Sequence, residues 1–477
     1  MNRTTATPSL LQHFPEIRWH GHWIWVPEET IVMGSAFGWD SSPRPEAHGL
    51  FRKRFILDTV PASVPARITA DSRYLLFVNG QEVFRGPIRS QPRRMYYDHF
   101  DLAPYLHVGN NVIAVYVKYF GTPKSHWMPA VSNATLGKSG VMVFEAKLGE
   151  SWLVSDGAWQ ARKSEAWSAG AYDDGGNIVA AGVPAEEFDA RQLPTDWHTL
   201  DFDDSGWGAA QVITPVHIGG RGRSQPPTDP YGPLYPRPIA KLEGERFGMV
   251  SVTSERVDGP LDTSHNGPAG RAETSAVTQP ARESQSASQL PLTVSVPTNG
   301  YTRLIVDMGR IVGGFVEFSV NAPAGTIFEF GYAEELIKAR SMFGGHGGNR
   351  YIARGAHDTH SVFDPKGFRY AYILIHGTTE TVTLQDFAVQ EYHYPWQPGA
   401  IFECSDDDLN RIYQAGIRTV ELNSWDAFMD CPTREQRAWT GMPLSIRWCI
   451  WQPTKIGGWL GTISTWATPP VPMAFCR

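Results

Sequence analysis

Cysteine is scarce in this chain of 477 residues: Cys404, Cys431, Cys449 and Cys476 are the four present, and none lies before residue 404. Their spacing has no paired metal-ligand pattern, so neither a disulfide framework nor a zinc site is indicated, and reduced thiols are expected. No metal and no cofactor is called for. Long apolar runs are missing too. No stretch reaches the roughly 18 residues a membrane span needs, and the opening MNRTTATPSLLQHFPEIRWHGHW lacks the apolar core of a signal peptide. The expectation is a cytoplasmic protein without a membrane partner. Nor is there a run of Lys and Arg. With 42 basic and 49 acidic residues the formal charge is −7, which argues against a nucleic-acid partner and for a neutral ligand. The oligomeric state leaves no mark in the sequence.

Two further absences are local. From Gly248 to Gly300 there is no Phe, Trp or Tyr, and Ser, Thr, Pro, Ala and Gln dominate 274–289. Such a stretch buries too little apolar surface to offset its ordering entropy, so 246–290 is expected to be a mobile linker or insertion. The second concerns acid. All 49 Asp and Glu lie in the first 441 positions, one in nine, and none in the 36 residues from Met442 to Arg477.

What is present favours β structure. The 46 Gly and 36 Pro mark many turns, and short alternating segments recur between them. Tyr74-Leu75-Leu76-Phe77-Val78 and Gln81-Glu82-Val83-Phe84 flank Asn79-Gly80, the strongest short hairpin signal. Segments 50–60, 111–120 and 140–148 continue the pattern, so 1–245 reads as an antiparallel β-sandwich of jelly-roll type. If extended, 19–26 puts Trp19, Trp23 and Trp25 on one face. That face is either core packing or a sugar platform. The acidic, aromatic stretch Trp197 to Trp207 matches no calcium-loop spacing and reads as a turn. A second β-sandwich is expected over 291–398, with strands at 302–308, 314–320, 326–333, 368–376 and 382–393. Its Gly344-Gly345-His346-Gly347-Gly348 lacks the Lys and the strand-to-helix setting of a phosphate cradle and reads as a surface loop.

After Pro398 the period changes from two to helical. Ser405, with Asp408 three residues on, can cap a helix carrying Leu409, Ile412, Tyr413, Ile417 and Val420 on one face. Asp406, Asp407 and Asp408 suit the positive end of its dipole. The fold class is therefore mainly β, two antiparallel β-sandwich domains followed by a helical segment.

That segment leads into Asp430-Cys431-Pro432-Thr433-Arg434-Glu435-Gln436-Arg437-Ala438-Trp439-Thr440-Gly441, the densest group of reactive side chains in the chain. Glycoside hydrolysis requires an acid to protonate the leaving oxygen and a second carboxylate across the ring. Asp430 and Glu435 are candidates for such work. Arg434 and Arg437 can orient a carboxylate or donate to hydroxyls, and Trp439 offers a plate for a sugar face. By itself the cluster could equally be an ion-pair network that caps a loop.

Asp430 to Arg437 with Trp439-Thr440-Gly441, preceded by the helix, resembles the opening of the catalytic domain of bacterial α-L-rhamnosidases. The upstream chain is similar to the same enzymes in Ser72-Arg73-Tyr74 with Val78-Asn79-Gly80, in Asp307-Met308-Gly309-Arg310 with Gly313-Gly314, and in Gly367-Phe368-Arg369-Tyr370. The resemblance covers roughly Trp19 to Gly441. It implies an inverting glycoside hydrolase that removes terminal α-L-rhamnose in a six-hairpin α/α barrel, of which 399–441 would be the start. It also implies Glu435 as general acid, Asp430 as a ligand of the sugar hydroxyls, and Arg434 and Trp439 as substrate contacts. The expected partner is a rhamnoside. A non-catalytic carbohydrate-binding protein holding sugar on Trp19, Trp23 or Trp25 is the alternative, and a pseudogene product without function is a third reading.

In the family Thr-Gly is followed by Asp, whereas here Met442 follows Gly441. With four Trp and five Pro the acid-free tail 442–477 is a poor source of further helical hairpins. A single lost nucleotide near codon 441 accounts for both departures, because a reading one base earlier permits an Asp at position 442. The 477-residue product is then expected to be truncated within its catalytic domain and to show little or no activity. The alternative is a divergent but genuine C-terminus, and an intact frame containing this tail in several isolates removes the frameshift explanation in its favour.

Overall fold

The computed structural model describes residues 18–29, 45–90, 95–121, 139–169, 185–213, 224–227, 234–264, 267–338, 348–396, 401–434 and 436. Most of the loop 344–348 and all of 437–477 lie outside them.

The first β unit is a sandwich of two sheets. One sheet orders strands Gln211–Val212, Ile24–Trp25, Val141–Leu148, Pro65–Asp71, Met95–Asp101 and Leu234–Pro236, with Ser151–Val154 beside Val141–Leu148. The other orders Gly208–Ala209, Gln160–Lys163, Ala47–Leu57, Gly109–Tyr119, Arg73–Val78 and Gln81–Gly86. Pairing is antiparallel except for Leu234–Pro236, which runs parallel to Met95–Asp101. Asn79 and Gly80 both have positive φ, 51° and 86°, as a two-residue type I′ hairpin requires.

Alternation along the strands fills the space between the sheets with Trp23, Trp25, Phe51, Tyr74, Ile113, Tyr119, Phe144 and Trp159. Each such side chain contributes about 1.5–3 kcal/mol on leaving water. Trp19, Trp23 and Trp25 are 3%, 1% and 0% exposed. Of the two readings of their shared face, core packing is the one realised, and no sugar platform is available there.

The second β unit is organised by Gly300–Ala322, a strand of 23 residues that covers both segments expected at 302–308 and 314–320. Its first part pairs with Ser251–Asp258 on one side and Lys366–His376 on the other. Past a register shift between Asp307 and Val312 it pairs with Ala356–Ser361 and Thr381–Glu391. Val252, Val306 and Ile373 from the first set of strands share one core with Val316, Phe318, Phe387 and Val389 from the second, so one bent sheet supplies both layers.

The expected linker at 246–290 is corrected by this pairing. Arg246–Gly248, Ser251–Asp258 and Glu283–Ala287 are strands of the second unit, and Pro268–Thr278 is a helix. The composition misled because the segment is held by pairing and by small residues rather than by aromatic burial. Ala269 and Ala272 bring the helix so near Gly331 that a Cβ there would lie 2.6 Å from that of Ala272. Arg271 is paired with Glu329, and Arg303 donates to the Ser275 carbonyl. The boundary at 245 is corrected as well: Trp167–Ala169 and Glu186–Asp189 belong to the second sheet.

The two β units meet over buried charge. Lys118 Nζ lies 2.8 Å from Asp364 Oδ2 and 3.7 Å from Glu46 Oε1. Glu186 accepts from the amides of Phe363 and Asp364 at 2.9 and 3.1 Å. His360 stacks on Phe188, 4.4 Å between centroids. Burial, followed by the positive charge of Arg85, holds the His360 imidazole down at about 3. Glu186 Oε1 at 3.9 Å does not reverse this, because that carboxylate is committed to backbone amides.

A histidine depressed from about 6.5 is neutral when folded and charged when unfolded, so its effect is to lower stability as pH falls from about 6.5 toward 3, by on the order of 2 kcal/mol at pH 5. Glu329 and Glu391 extend the loss to lower pH. Burial raises both, yet His376 and Arg271 on the first, and His393 and Arg418 on the second, hold them at about 2. Their stabilisation is therefore lost between the unfolded value and about 2. Thermal melts from pH 7 to pH 3 are expected to show a falling midpoint, and His360→Phe is expected to flatten the part between pH 6.5 and 5. A midpoint unchanged from pH 7 to pH 5 in the unaltered chain contradicts this.

Candidate active site

The helix after residue 405 runs Asp407–Leu422. Its cap is Asp406, not Ser405: the Asp406 carboxylate accepts from the amides of Asp408 and Leu409 at 2.9 and 3.2 Å. A carboxylate at this position is favoured over a hydroxyl because it also meets the dipole. Leu409, Ile412 and Ile417, on the apolar stripe of this helix, are 49%, 66% and 37% exposed.

Beyond Leu422 the chain leaves the helix through Asn423, whose side-chain amide donates to the Thr419 carbonyl at 2.9 Å. The following segment folds back on itself, with the Met429 amide donating to the Asn423 carbonyl at 2.9 Å. Trp425, Phe428 and Met429 are buried with Ile88 and Tyr96 of the first sandwich and with Ile239 and Leu242. On the other side, Gln436 Nε2 donates to the Pro365 carbonyl at 2.9 Å, and Gly367 lies directly under Pro432. The candidate segment therefore sits in the seam between both β units.

Asp430 and Arg434 lie in this seam, both half-buried. Asp430 Oδ2 is 3.5 Å from Cys431 Sγ, and its charge reaches Arg89 of the first sandwich. Thr433 donates to Glu334 of the second unit. Glu435 and Trp439 fall outside the described residues, so the expected acid and the expected sugar plate receive no geometry.

The residue that sequence reasoning passed over is Asp426. Four positions before Asp430, it is buried with Arg89 Nε at 2.7 Å, the Arg89 amide at 2.8 Å and Arg73 Nη2 at 2.9 Å from its carboxylate oxygens. Burial raises this carboxyl, but Arg89 and Arg73 hold it far below the usual carboxylate range. The signal available was Arg73 in Ser72-Arg73-Tyr74, an arginine beginning a strand whose next residues are apolar; nothing local tied it to a position more than 350 residues away.

A cavity of about 40 Å³ opens between these groups, lined among others by Arg73, Arg89, Phe315, Tyr392, Trp425 and Asp426. Its volume suits a few waters and not a sugar ring. Among the described residues no group of three or more His, Cys, Asp and Glu is arranged to hold a metal, and no helix is long and apolar enough to cross a membrane.

Comparison with known proteins follows the same three-part order. Residues 60–228 match the model of the alpha-L-rhamnosidase N-terminal domain, 298–392 that of the bacterial alpha-L-rhamnosidase concanavalin-like domain, and 397–446 that of the bacterial alpha-L-rhamnosidase 6 hairpin glycosidase domain. An alpha-L-rhamnosidase of Formosa agariphila is 24% identical over 422 residues, covering 83% of this chain and 37% of that one. One from Streptomyces avermitilis is 27% identical over 227 residues, covering 46% of this chain and 17% of that one.

Among solved structures, the GH78 family rhamnosidase of Bacillus sp. GL1 superposes with a TM-score of 0.69 at 22% identity, over 88% of this chain and 60% of that one. The Streptomyces avermitilis alpha-L-rhamnosidase complexed with L-rhamnose does so with a TM-score of 0.58 at 18% identity, over 88% of this chain and 36% of that one. These superpositions show a common fold. This chain spans 37% or less of the length of the two curated relatives. Three parts of one architecture, matched in order along a single sequence, identify the chain as a member of the bacterial α-L-rhamnosidase family.

Proposed function

We propose that this chain belongs to a glycoside hydrolase that releases terminal α-L-rhamnose from rhamnosides with inversion. The observation that carries the reading is the seam. Asp430 and Arg434 are held between two β units by an ordered segment, within the region matched to the glycosidase domain.

In this reading Glu435 protonates the glycosidic oxygen as its bond to the anomeric carbon breaks. Water attacks that carbon from the opposite face, activated by a second carboxylate about 6.5–9.5 Å from the acid, and L-rhamnose leaves as the inverted anomer. Asp430 accepts from the sugar hydroxyls, Arg434 donates to them, and Trp439 stacks on the ring. Acid–base chemistry of this kind calls on no cofactor. The alternative of a non-catalytic lectin-like chain has lost its proposed platform, since all three tryptophans are enclosed in the first core.

Titration calorimetry with L-rhamnose tests the binding half of the proposal: binding is expected, and Asp430→Asn is expected to weaken it at least about tenfold, the worth of one charge-assisted hydrogen bond. The chemical half is tested with an aryl α-L-rhamnoside, any turnover of which must release the inverted anomer first and fall by about 10²–10⁴ in Glu435→Gln. Absence of rhamnose binding, or turnover that survives Glu435→Gln, sinks the reading.

A further inference from the structure

The three bonds that the Asp426 carboxylate accepts all come from the first sandwich, from two arginines on either side of the hairpin strand Gln81–Gly86. Arg89 does more than neutralise it. One of its terminal nitrogens donates to the Gln436 carbonyl, and the other lies 3.1 Å from Met429 Sδ. A single buried guanidinium thus touches positions 426, 429 and 436, on both sides of Asp430 and Glu435. Arg73 adds a brace, donating to the Pro87 carbonyl at 2.6 Å as well as to Asp426. A planar group with five donors in fixed directions can hold three points at once; a lysine ammonium cannot do so with the same geometry.

Stability alone does not account for the arrangement. A buried ion pair gains little over apolar residues of the same volume, because desolvation offsets the attraction. What the pair does supply is a fixed register between two parts of the chain remote in sequence. The contacts to the second unit, Gln436 to Pro365 and Pro432 over Gly367, meet the same segment from the other side.

We propose that Asp426 is a positioning residue, through which Arg89 and Arg73 of the first β-sandwich set the placement of the segment that carries Asp430 and Glu435. The first sandwich is then part of the catalytic architecture and not an appended module. The inference deepens the rhamnosidase reading and rests on it for the meaning of the placement, while the placement can be measured separately.

Hydrogen exchange followed by mass spectrometry on the full chain, with L-rhamnose calorimetry on the same samples, tests it in Asp426→Asn, Arg73→Met and Arg73→Lys. In Asp426→Asn and Arg73→Met, amides of 427–436 are expected to exchange at least about tenfold faster, with strands Gly109–Tyr119 and Lys366–His376 unchanged. Arg73→Lys keeps the cation but not the fork, and its exchange is expected to fall between that of Arg73→Met and that of the unaltered chain. L-rhamnose affinity is expected to fall at least about tenfold in the first two variants and by less in the third.

Unchanged exchange over 427–436, or exchange raised equally in both β units, overturns the proposal. So does rhamnose affinity that is the same in all four proteins, and so does failure of Arg73→Lys to outperform Arg73→Met. If Asp426→Asn does not fold, the Arg73 pair decides by itself. If the unaltered chain binds no L-rhamnose, the rhamnosidase reading fails, and the exchange measurements still decide whether Asp426 places the segment.

Discussion

Lys118→Met is expected to destabilise the chain by about 3–5 kcal/mol, the cost of leaving a buried charge without its partner. Lys118 is 2% exposed, and methionine matches its length without its charge. Burial works against the ammonium, but Asp364, Glu46 and Glu186 together raise it well above the ordinary lysine range. It therefore carries its charge at neutral pH.

Removing it leaves Asp364 beside Glu186 and Glu46 with Lys366, whose ammonium burial disfavours, as the nearby cation for Asp364 and Glu186, and carboxylates so placed repel one another. The same contact joins the first sandwich, through strand Gly109–Tyr119, to the second unit at Asp364. The loss should therefore appear as uncoupling of the two units in denaturant, measured as a shift of the midpoint or a split of one transition into two. Combining Lys118→Met with Asp364→Leu is expected to recover part of the loss, since the pair as a whole contributes less than either half stranded. A single variant within about 0.5 kcal/mol of the unaltered chain contradicts the argument.

Gly367→Val is expected to lower stability by about 1–3 kcal/mol, the range for overpacking a close contact, and to loosen the candidate segment. A Cβ at Gly367 would sit 2.5 Å from Pro432 Cβ and 2.7 and 2.8 Å from the Pro432 carbonyl carbon and oxygen. The obstacle is backbone, so no side-chain rotation relieves it. Gly367 begins the central strand Lys366–His376, paired to Gly313, and does not yield easily. The strain falls on Pro432, between Asp430 and Arg434. A displacement of about 1 Å in a positioning segment can cost about 10²-fold in function. Faster hydrogen exchange over 429–434 together with a lower melting midpoint is the expected pair of results. A normal midpoint with unchanged exchange would show that the strand gives way instead.

Both predictions concern contacts that no short-range rule anticipates, and the same division runs through the whole chain. Period-two alternation and Asn79-Gly80 place the strands and the first hairpin, because side-chain alternation and turn geometry are decided within a few residues. The helix at 407–422 follows from its apolar spacing and its acidic first turn, although the choice of Asp406 over Ser405 as the cap is settled by where the chain enters. The density of reactive groups from Asp430 to Gly441 is likewise visible in the sequence, as is the resemblance that orders the three parts.

Tertiary structure decided the rest. The polar stretch 251–290 is folded because Ser251–Asp258 pairs with Gly300–Asp307, about fifty positions further on, and long-range hydrogen bonds leave no local compositional trace. The strand Gly300–Ala322 crosses between layers at a register shift that two shorter apolar segments do not announce. The three N-terminal tryptophans share a face by spacing, but only a second sheet closing over them made that face interior. Asp426, one acid among 49, became the fixed point of the candidate segment only when folding brought Arg73 and Arg89 to it. Sequence determines which residues can form a strand, a turn or a helix and which chemical groups are close along the chain; the burial of a charge and the partner that compensates it exist only once distant segments have met.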